Sequence, residues 1–273
     1  MLNDAELALV AREVKTRSGA VLTREMGGAI ELRLTPLARR EGFGTVHELV
    51  GAARIRADGA IWNAVTDFLA QGDTRFFRDR ALFKRLREDV LPAALMRRGH
   101  ERIRVWSAAC STGQEAYSVA MLIEEIREQG LNPACEIIAT DFSERLIQKA
   151  HAGLYTQFEV QRGLPIRKLI AHFEKAGDLW RISDRLRASV TFSAHNLLKH
   201  PGALGQFDVI LLCHVLGGFD AETRAAVVLR VADALAPHGV IVLGEGEVMP
   251  AECEGLVCEA GVVMKKTSAR AAA

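Results

Sequence analysis

The chain has 273 residues, of which 49% are hydrophobic and 25% charged, and its formal net charge is +1. This length suggests one large domain or two modest ones, and the composition is ordinary for a globular protein. The near-zero charge gives no indication of a nucleic acid or a membrane surface as partner. No stretch reaches the roughly 18 apolar residues of a membrane helix, and no signal peptide is recognisable, so we expect a cytoplasmic protein without membrane insertion.

The cysteines indicate neither a disulfide framework nor a metal centre. Their number is odd and no pair has the CxxC spacing, while Cys253 and Cys258 have no His or Cys cluster nearby that would complete a zinc site. Reduced, buried thiols are therefore the favoured interpretation, and we expect no metal. The five cysteines are Cys110, Cys135, Cys213, Cys253 and Cys258.

Residues 1–92 show the spacing of amphipathic helices and are predicted to form a small helical domain. One helix is expected over the first 17 or so residues and another from about Glu25 to Arg40. Thr45 is placed to cap a third helix, with Glu48 at the capping-box position. Pro92 ends the last segment of this part.

From residue 93 to 273 short apolar runs alternate with longer helical ones, which predicts a doubly wound α/β domain with a parallel sheet. The run at 207–215 is almost continuously apolar, as expected of a strand covered on both faces. The segment LVCEAGVVMKK holds one or two further strands. Strands are predicted at 102–109, 135–141, 190–196, 207–215 and 239–245, and helices from Gln114 to Arg127, Glu144 to Ala152 and Ala221 to Ala236.

The first strand-to-helix turn, AACSTGQEAYS at 108–118, lies where doubly wound folds place their ligand. The small residues Ala109, Ser111 and Gly113 allow a ligand to approach the main chain closely. The turn is neither GxGxxG nor a Walker motif, which argues against a dinucleotide pyrophosphate and against ATP phosphates. Taken alone, it fits a ligand-binding turn and a plain strand-to-helix turn equally well.

Asp141 ends the second predicted strand. An acidic residue at this tip accepts hydrogen bonds from both hydroxyl groups of a ribose, or it caps the helix that follows. Ser143 is the better cap, which favours the ribose interpretation.

The segment GDTRFFRD at 72–79 places two aromatic residues directly before an arginine. Arg78 could hold a substrate carboxylate with two parallel hydrogen bonds. The alternative is that Phe76 and Phe77 pack in the core and Arg78 lies on the surface, and composition alone favours this alternative.

The segment CHVLGGF at 213–219 follows the fourth strand of the α/β domain. Residues at such a tip, here His214 and Val215, are placed to contact an adenine or a methyl-donor amino acid. His214 could act as a general base, although a lone histidine is more often a hydrogen-bonded structural residue. Cys213 ends a buried run without an activating partner, and we expect it to be inert.

Together these segments resemble the CheR family of protein-glutamate O-methyltransferases over nearly the whole chain. The resemblance is carried, in this order, by TRFFRD, RIRVWSAACSTGQEAYSVAMLI, IIATDFSERLIQKAHAGLY, HNLL and FDVILLCHVLGGFD, with SGAVLT and LARREGF in the N-terminal part. It implies a Rossmann-like, S-adenosylmethionine-dependent methyltransferase fold with a small helical N-terminal domain. It also implies methylation of glutamate side chains on the cytoplasmic helices of methyl-accepting chemoreceptors, with S-adenosylhomocysteine as product.

The resemblance assigns the glycine-containing turn to the cofactor. The family's STGEEPYS is similar to STGQEAYS here, which implies that Glu115 binds the methionine end of the donor or holds the turn. Ala109, Ser111 and Gly113 then lie against the cofactor.

The remaining family positions complete the cofactor site. Asp141 matches the acidic residue that takes the adenosine ribose, and Asn196 and Leu197 match positions beside the adenine. Thr74 and Arg78 match the Thr and Arg of the family's N-x-T-x-F-F-R, which close the site, and Arg78 is the candidate catalytic residue.

The departures from the family are concentrated in the catalytic pocket. The family's C-R-N-V-L-I-Y-F-D reads L-C-H-V-L-G-G-F-D here, at 212–220, so that Cys213 replaces an Arg and His214 an Asn. The family's pocket Tyr is Gly218, which has no hydroxyl group. The other changes are Gly72 for an Asn, Gly217 for an Ile, and Gly-Glu-Gly-Glu at 244–247 for Gly-His-Ser-Glu. The insertion that binds receptor tails in some members is not evident, and we expect a monomer.

Three functions stay open on these grounds. A carboxylate is already ionised at neutral pH, so methyl transfer to it needs alignment and a desolvated pocket and no general base. The first hypothesis is an active protein-glutamate methyltransferase with Arg78 orienting the substrate. The second is a catalytically weakened member that binds the cofactor as a sensor or interaction module, and the third is a methyltransferase of small molecules with a pocket opened by Gly217 and Gly218.

Overall fold

The computed structural model describes residues 2–56, 59–70, 73–99, 101–130 and 133–265. The chain forms two compact units, Met1–Gln71 with Gly218–Thr223, and Gly72–Gly217 with Arg224–Ala273. The division lies earlier than the predicted boundary at 92 and 93. The reason is that Leu86 and Leu91 belong to the hydrophobic core beneath the sheet.

The first unit is helical. Its helices bury one apolar face each around residues such as Val10, Leu34 and Leu49, none of which is exposed to solvent. Thr45 caps the third helix by accepting a hydrogen bond from the amide of Glu48, as predicted. The helices are α1 Asp4–Ser18, α2 Gly27–Arg40, α3 Val46–Ile55 and α4 Ala60–Leu69, with a short 3-10 turn at Arg24–Met26.

The remaining helices lie in the second unit, except that the first three residues of the last helix belong to the first unit. A single π-helical stretch, Leu86–Val90, connects two of them. None of the helices in the described part of the chain is long and apolar enough to span a membrane. The helices are α5 Arg80–Arg85, α6 Leu91–Arg98, α7 Gln114–Glu128, α8 Glu144–Ala152, α9 Gln157–Gln161, α10 Ile166–His172, α11 Asp184–Ala188 and α12 Ala221–Ala232.

The strands of the second unit form a seven-stranded sheet and a three-stranded sheet. In chain order they are β1 Ile103–Ala108, β2 Cys135–Asp141, β3 Leu154–Thr156, β4 Phe173–Ala176, β5 Leu179–Ile182, β6 Val190–Ala194, β7 Phe207–Leu212, β8 Leu235–Leu243, β9 Leu256–Glu259 and β10 Val262–Lys265.

The large sheet has the order β6-β2-β1-β7-β8-β10-β9. The first five strands are parallel, and β10 runs antiparallel to β8 and β9. All six residues of β7 are buried, which explains the continuous apolar run in the sequence. The predicted doubly wound α/β architecture is thereby confirmed.

The small sheet, of order β3-β5-β4, is antiparallel and was not predicted. It is inserted between α8 and β6, where the sequence pattern predicted no strand. Its Tyr155 is fully buried and donates a hydrogen bond of 2.8 Å to the carbonyl oxygen of Thr112. The rings of Tyr155 and Phe173 pack edge-on against Phe76, with centroid distances of 5.1 and 5.5 Å. The insertion therefore supports both the 72–79 segment and the first turn of the sheet.

Gly163 lies against the main chain of Phe76 and has a φ of +93°. A Cβ atom at this position would be 2.1 Å from the carbonyl oxygen of Phe76. Gly177, between β4 and β5, has a φ of +61° but open space around its Cα. The two glycines therefore share the backbone conformation and differ in steric freedom.

We predict that Gly163→Ala lowers the free energy of unfolding by about 3 kcal/mol or more, because it combines left-handed strain with a backbone clash. Gly177→Ala should cost only about 1 kcal/mol, the strain alone. Urea titration of both variants checks the difference. Equal losses would contradict the close approach of Gly163 to Phe76.

Candidate functional site

The candidate site lies where the parallel strands of the large sheet end. The turn at 109–113 follows β1, Asp141 ends β2, His214 follows β7, and the segment 244–247 follows β8. Since β2, β1, β7 and β8 are parallel neighbours, their carboxyl ends meet at one edge. Open α/β sheets bind their ligands at this edge.

Three residues of the first turn have left-handed backbone angles. The φ values are 64° at Ala109, 53° at Ser111 and 92° at Gly113. This conformation costs a residue with a Cβ atom roughly 1–2 kcal/mol, so it persists only where the surroundings enforce it. Such strain is concentrated at functional sites, and it supports the ligand-binding interpretation of the turn over the plain one.

Asp141 connects two loops through its carboxylate. Its Oδ2 accepts a hydrogen bond of 2.8 Å from the amide of Ser111, and its Oδ1 accepts one of 3.0 Å from the amide of Ser143. Ser143 caps α8, as expected, through the amide of Leu146. The carboxylate of Asp141 thereby fixes the turn after β1 to the start of α8.

Glu115 lies in the first turn of α7 and points toward the ends of β1 and β7. The hydroxyl group of Ser107 donates a hydrogen bond of 2.7 Å to its Oε1. Burial raises the pKa of Glu115 to about 7, against the opposing effects of Ser107, Cys213 and the positive charge of Arg78. Where the family has an Arg, Cys213 gives this carboxylate no counter-ion.

The thiol group of Cys213 is buried and unreactive in this environment. Burial raises its pKa well above the ordinary value, and the charges of Glu115 and Glu247 raise it further. Its Sγ contacts the carbonyl oxygen of Val242 at 3.4 Å. Both observations agree with the expectation of an inert thiol.

In the 72–79 segment the two phenylalanines and the arginine lie in different environments. Phe76 and Phe77 are buried in the core, with exposed fractions of 0% and 8%. The side chain of Arg78 is 32% exposed, and its Nη1 donates a hydrogen bond of 2.7 Å to the carbonyl oxygen of Asp73. Thr74 is half-buried, while Gly72 lies outside the described residues. The guanidinium group lowers the pKa of Glu115, so its charge acts on the site.

His214 has a φ of 59°, the same strained region as the first turn. The Oε2 atom of Glu247 accepts hydrogen bonds from the amides of His214, at 2.6 Å, and Gly244, at 3.0 Å. Its Oε1 accepts a third from the amide of Leu216 at 2.9 Å. One carboxylate therefore holds the segments that follow β7 and β8. Burial, and secondarily the charge of Arg78, lower the pKa of His214, which favours the neutral imidazole.

The carboxylate of Asp79 likewise connects two segments of the chain, the start of α5 and the segment after β8. Its Oδ1 accepts a hydrogen bond of 3.0 Å from the amide of Leu82 and caps α5, while its Oδ2 accepts one of 2.9 Å from the amide of Glu245. Asp79 and Glu247 were not among the residues predicted for the site. The only signal was their position, directly after TRFFR and at the end of the changed Gly-Glu-Gly-Glu motif.

The adenine positions predicted from the resemblance follow β6. Asn196 accepts a hydrogen bond of 2.9 Å from the amide of Leu198, and Leu197 is buried. The amide of His195 donates to the carbonyl oxygen of Asp141 at 2.9 Å, which brings this segment beside the end of β2. Val215 is half-buried next to His214.

Three buried polar atoms at this edge have no hydrogen-bond partner among the described residues, the Oγ of Ser111, the Nε2 of His195 and the Nε2 of His214. Leaving such atoms unpaired is costly, and a polar ligand would satisfy them. The ribose, amino and carboxylate groups of S-adenosylmethionine are of this kind, so the residues present fit that cofactor. Within the described ranges no group of three or more His, Cys, Asp or Glu side chains could hold a metal ion.

One protein family and several known methyltransferases are similar to this chain. The protein-family model of the CheR methyltransferase, SAM binding domain, matches residues 72–260. Chemotaxis protein methyltransferase 1 of Pseudomonas aeruginosa is 32% identical over 96% of this chain and 98% of that protein. Chemotaxis protein methyltransferase Cher2 of Pseudomonas putida is 30% identical over 90% of this chain and 92% of that protein. Among solved structures, magnesium protoporphyrin IX methyltransferase from Synechocystis PCC 6803 with bound SAH overlaps 68% of this chain and 66% of that one, at 14% identity and a TM-score of 0.34.

The raised pKa of Glu115 predicts a pH-dependent stability. The folded protein holds this proton more tightly than the unfolded chain does, so the stabilising effect is complete below the unfolded pKa and is lost as the pH rises through about 7. Wild type should therefore lose up to about 3 kcal/mol of stability between pH 5 and pH 8 that Glu115→Gln retains.

Urea unfolding at both pH values checks this difference. Glu128→Gln, an exposed position on the same helix, is the matched control and should follow wild type. A Glu115→Gln variant with the pH dependence of wild type would contradict the uncompensated burial of this carboxylate.

Proposed function

The chain belongs to the CheR methyltransferase family, and we propose that it transfers the methyl group of S-adenosylmethionine to glutamate side chains in the cytoplasmic domain of a chemoreceptor. The observation that carries this proposal is the convergence of Glu115, Asp141 and His214 at one edge of the sheet, inside the range that the family model matches. Arg78 lies in the same range and acts electrostatically on Glu115 and His214.

In this proposal the carboxylate of Asp141 binds the ribose hydroxyl groups. Glu115 binds the amino group of the methionine end, and Asn196, Leu197, His214 and Val215 lie beside the adenine. Thr74 and Arg78 close the site, while the small residues Ala109, Ser111 and Gly113 leave room at the first turn. These assignments are supported by the family positions and by the unpaired buried atoms of Ser111 and His214.

The bound cofactor supplies an electrophilic methyl group on a sulfonium. A glutamate carboxylate oxygen of the receptor would take up this methyl group as its bond to sulfur breaks, with S-adenosylhomocysteine as the other product. The carboxylate is ionised at neutral pH, so this chain needs to supply no general base. Its contribution is alignment in a site protected from water, for which Arg78 provides the charge that orients the substrate carboxylate.

We predict that calorimetric titration gives micromolar binding of S-adenosylhomocysteine, weakened more than tenfold by Asp141→Ala. The variant removes the ribose acceptor and also the partner of the Ser111 amide. Asp184→Ala, at the exposed start of α11, is the matched control and should bind as wild type does. Unchanged binding in Asp141→Ala would contradict the assignment of this residue.

The methyl acceptor is tested with radiolabelled cofactor and a receptor cytoplasmic fragment. Label should appear as base-labile methyl esters, and a fragment with glutamine at the methylation positions should remain unlabelled. Cofactor binding without transfer to any receptor fragment would favour the sensor or interaction module. Transfer to small carboxylic acids instead would favour the small-molecule enzyme.

Gly218 allows a direct test of the missing pocket hydroxyl group. An added Cβ atom at this position meets no atom within 4 Å, and the backbone conformation is not left-handed. We predict that Gly218→Tyr raises kcat, by up to about 10²-fold if the hydroxyl corrects an ångström-scale misplacement. Gly218→Phe is the matched control, since it lacks only the hydroxyl group. Equal rates in both variants would exclude a role for the hydroxyl.

A further inference from the structure

We propose that Glu247 is a positioning residue of the methyltransferase site, which holds the main chain of His214 in the conformation that cofactor binding requires. The inference rests on the proposed function, because the site concerned is that of S-adenosylmethionine. Glu247 acts through His214 and Gly244, and no contact of its own with the cofactor is implied.

The first support is the number and origin of its hydrogen bonds. Three main-chain amides donate to the Glu247 carboxylate, two from the segment after β7 and one from Gly244 after β8. Amides in these loops have no partner in a helix or strand, and an unpaired buried amide is costly. A carboxylate that accepts several such bonds is fixed in place and satisfies amides that the loops themselves cannot pair.

The second support is the strain that these bonds hold. His214 has a φ of 59°, in the left-handed region, which is unfavourable for any residue with a Cβ atom. Its amide makes the shortest of the three bonds, at 2.6 Å. The charge-assisted hydrogen bond therefore opposes the relaxation of His214 toward an ordinary conformation.

The third support is steric. A Cβ atom at Gly244 would lie 2.8 Å from the Cε1 atom of His214 and 2.9 Å from both ring nitrogens. The imidazole therefore occupies space that only glycine leaves open. Glu247 holds both partners of this contact at once, since it accepts from the amides of His214 and Gly244.

The fourth support connects the same segment to the other side of the site. The amide of Glu245 donates to Asp79, which directly follows Arg78 in the chain. Two carboxylates thus hold the segment 244–247: Asp79 accepts from the amide of Glu245, and Glu247 accepts from the amide of Gly244. These hydrogen bonds connect the main chain of His214 to the loop that carries Arg78.

The test is the affinity for S-adenosylhomocysteine of Glu247→Gln. Glutamine keeps one acceptor oxygen and replaces the other by a donor, so at least one amide loses its partner. We expect the Kd to rise about tenfold or more, the effect of one charge-assisted bond. Glu245→Gln is the matched control, because it makes the same charge change on an exposed side chain two residues away. Its Kd should stay within about twofold of wild type.

A double-mutant cycle separates positioning from general stability. Glycine at 214 adopts the left-handed conformation without strain, so His214→Gly reduces the need for the carboxylate. In that background Glu247→Gln should change the Kd by less than about threefold. Equal effects in both backgrounds, or no effect in wild type, would overturn the proposal.

Gly244→Ala provides a second variant that leaves the carboxylate in place and displaces the imidazole. It should raise the Kd, whereas Gly51→Ala, in α3 and with open space around its Cα, should not. Amide hydrogen exchange of His214 and Leu216 gives a readout that needs no cofactor, and Glu247→Gln should accelerate both. Unchanged exchange would overturn the inference even if wild type bound no cofactor, an outcome that would count against the proposed function itself.

Discussion

Main-chain amides buried at the carboxyl edge of a parallel sheet need acceptors that the sheet itself does not provide. In this protein three carboxylates supply them. Asp141 joins the turn after β1 to the start of α8, Asp79 joins the start of α5 to the segment after β8, and Glu247 joins the segments after β7 and β8. The strained conformations of Ala109, Ser111 and His214 can persist because these loops are held on both sides.

Loops held in this way suit a reaction that depends on the alignment of its two reactants. Methyl transfer to an ionised carboxylate needs no proton acceptor from the protein, so the geometry of the edge is the main contribution of the chain. The departures from the family leave the anchoring carboxylates in place and change the surroundings of Glu115 and His214. Cys213 gives the buried Glu115 no charge of its own to pair with, and Gly244 accommodates the imidazole that stands where the family has an asparagine.

The sequence predicted the parts of this structure that depend on local pattern. The alternation of apolar runs and helical periods gave the parallel sheet, and the helix caps at Thr45 and Ser143 lie where expected. The small sheet at 154–182 was missed because its strands are short and β4 has three exposed residues out of four. The predicted helix from Ala221 ends four residues earlier than expected, because the chain already enters β8 at Leu235.

The candidate site was predictable only where a residue type itself implied the chemistry. Asp141 at a strand end and the small residues of the first turn were recognisable, whereas Asp79 and Glu247 act on amides distant in sequence. The most direct test of this account compares crystal structures of the free and the S-adenosylhomocysteine-bound protein. We predict that the main chain at Ser111, Ser143 and His214 moves by less than about 1 Å, since the carboxylates hold it before the cofactor arrives. Loops that adopt these conformations only in the complex would contradict it.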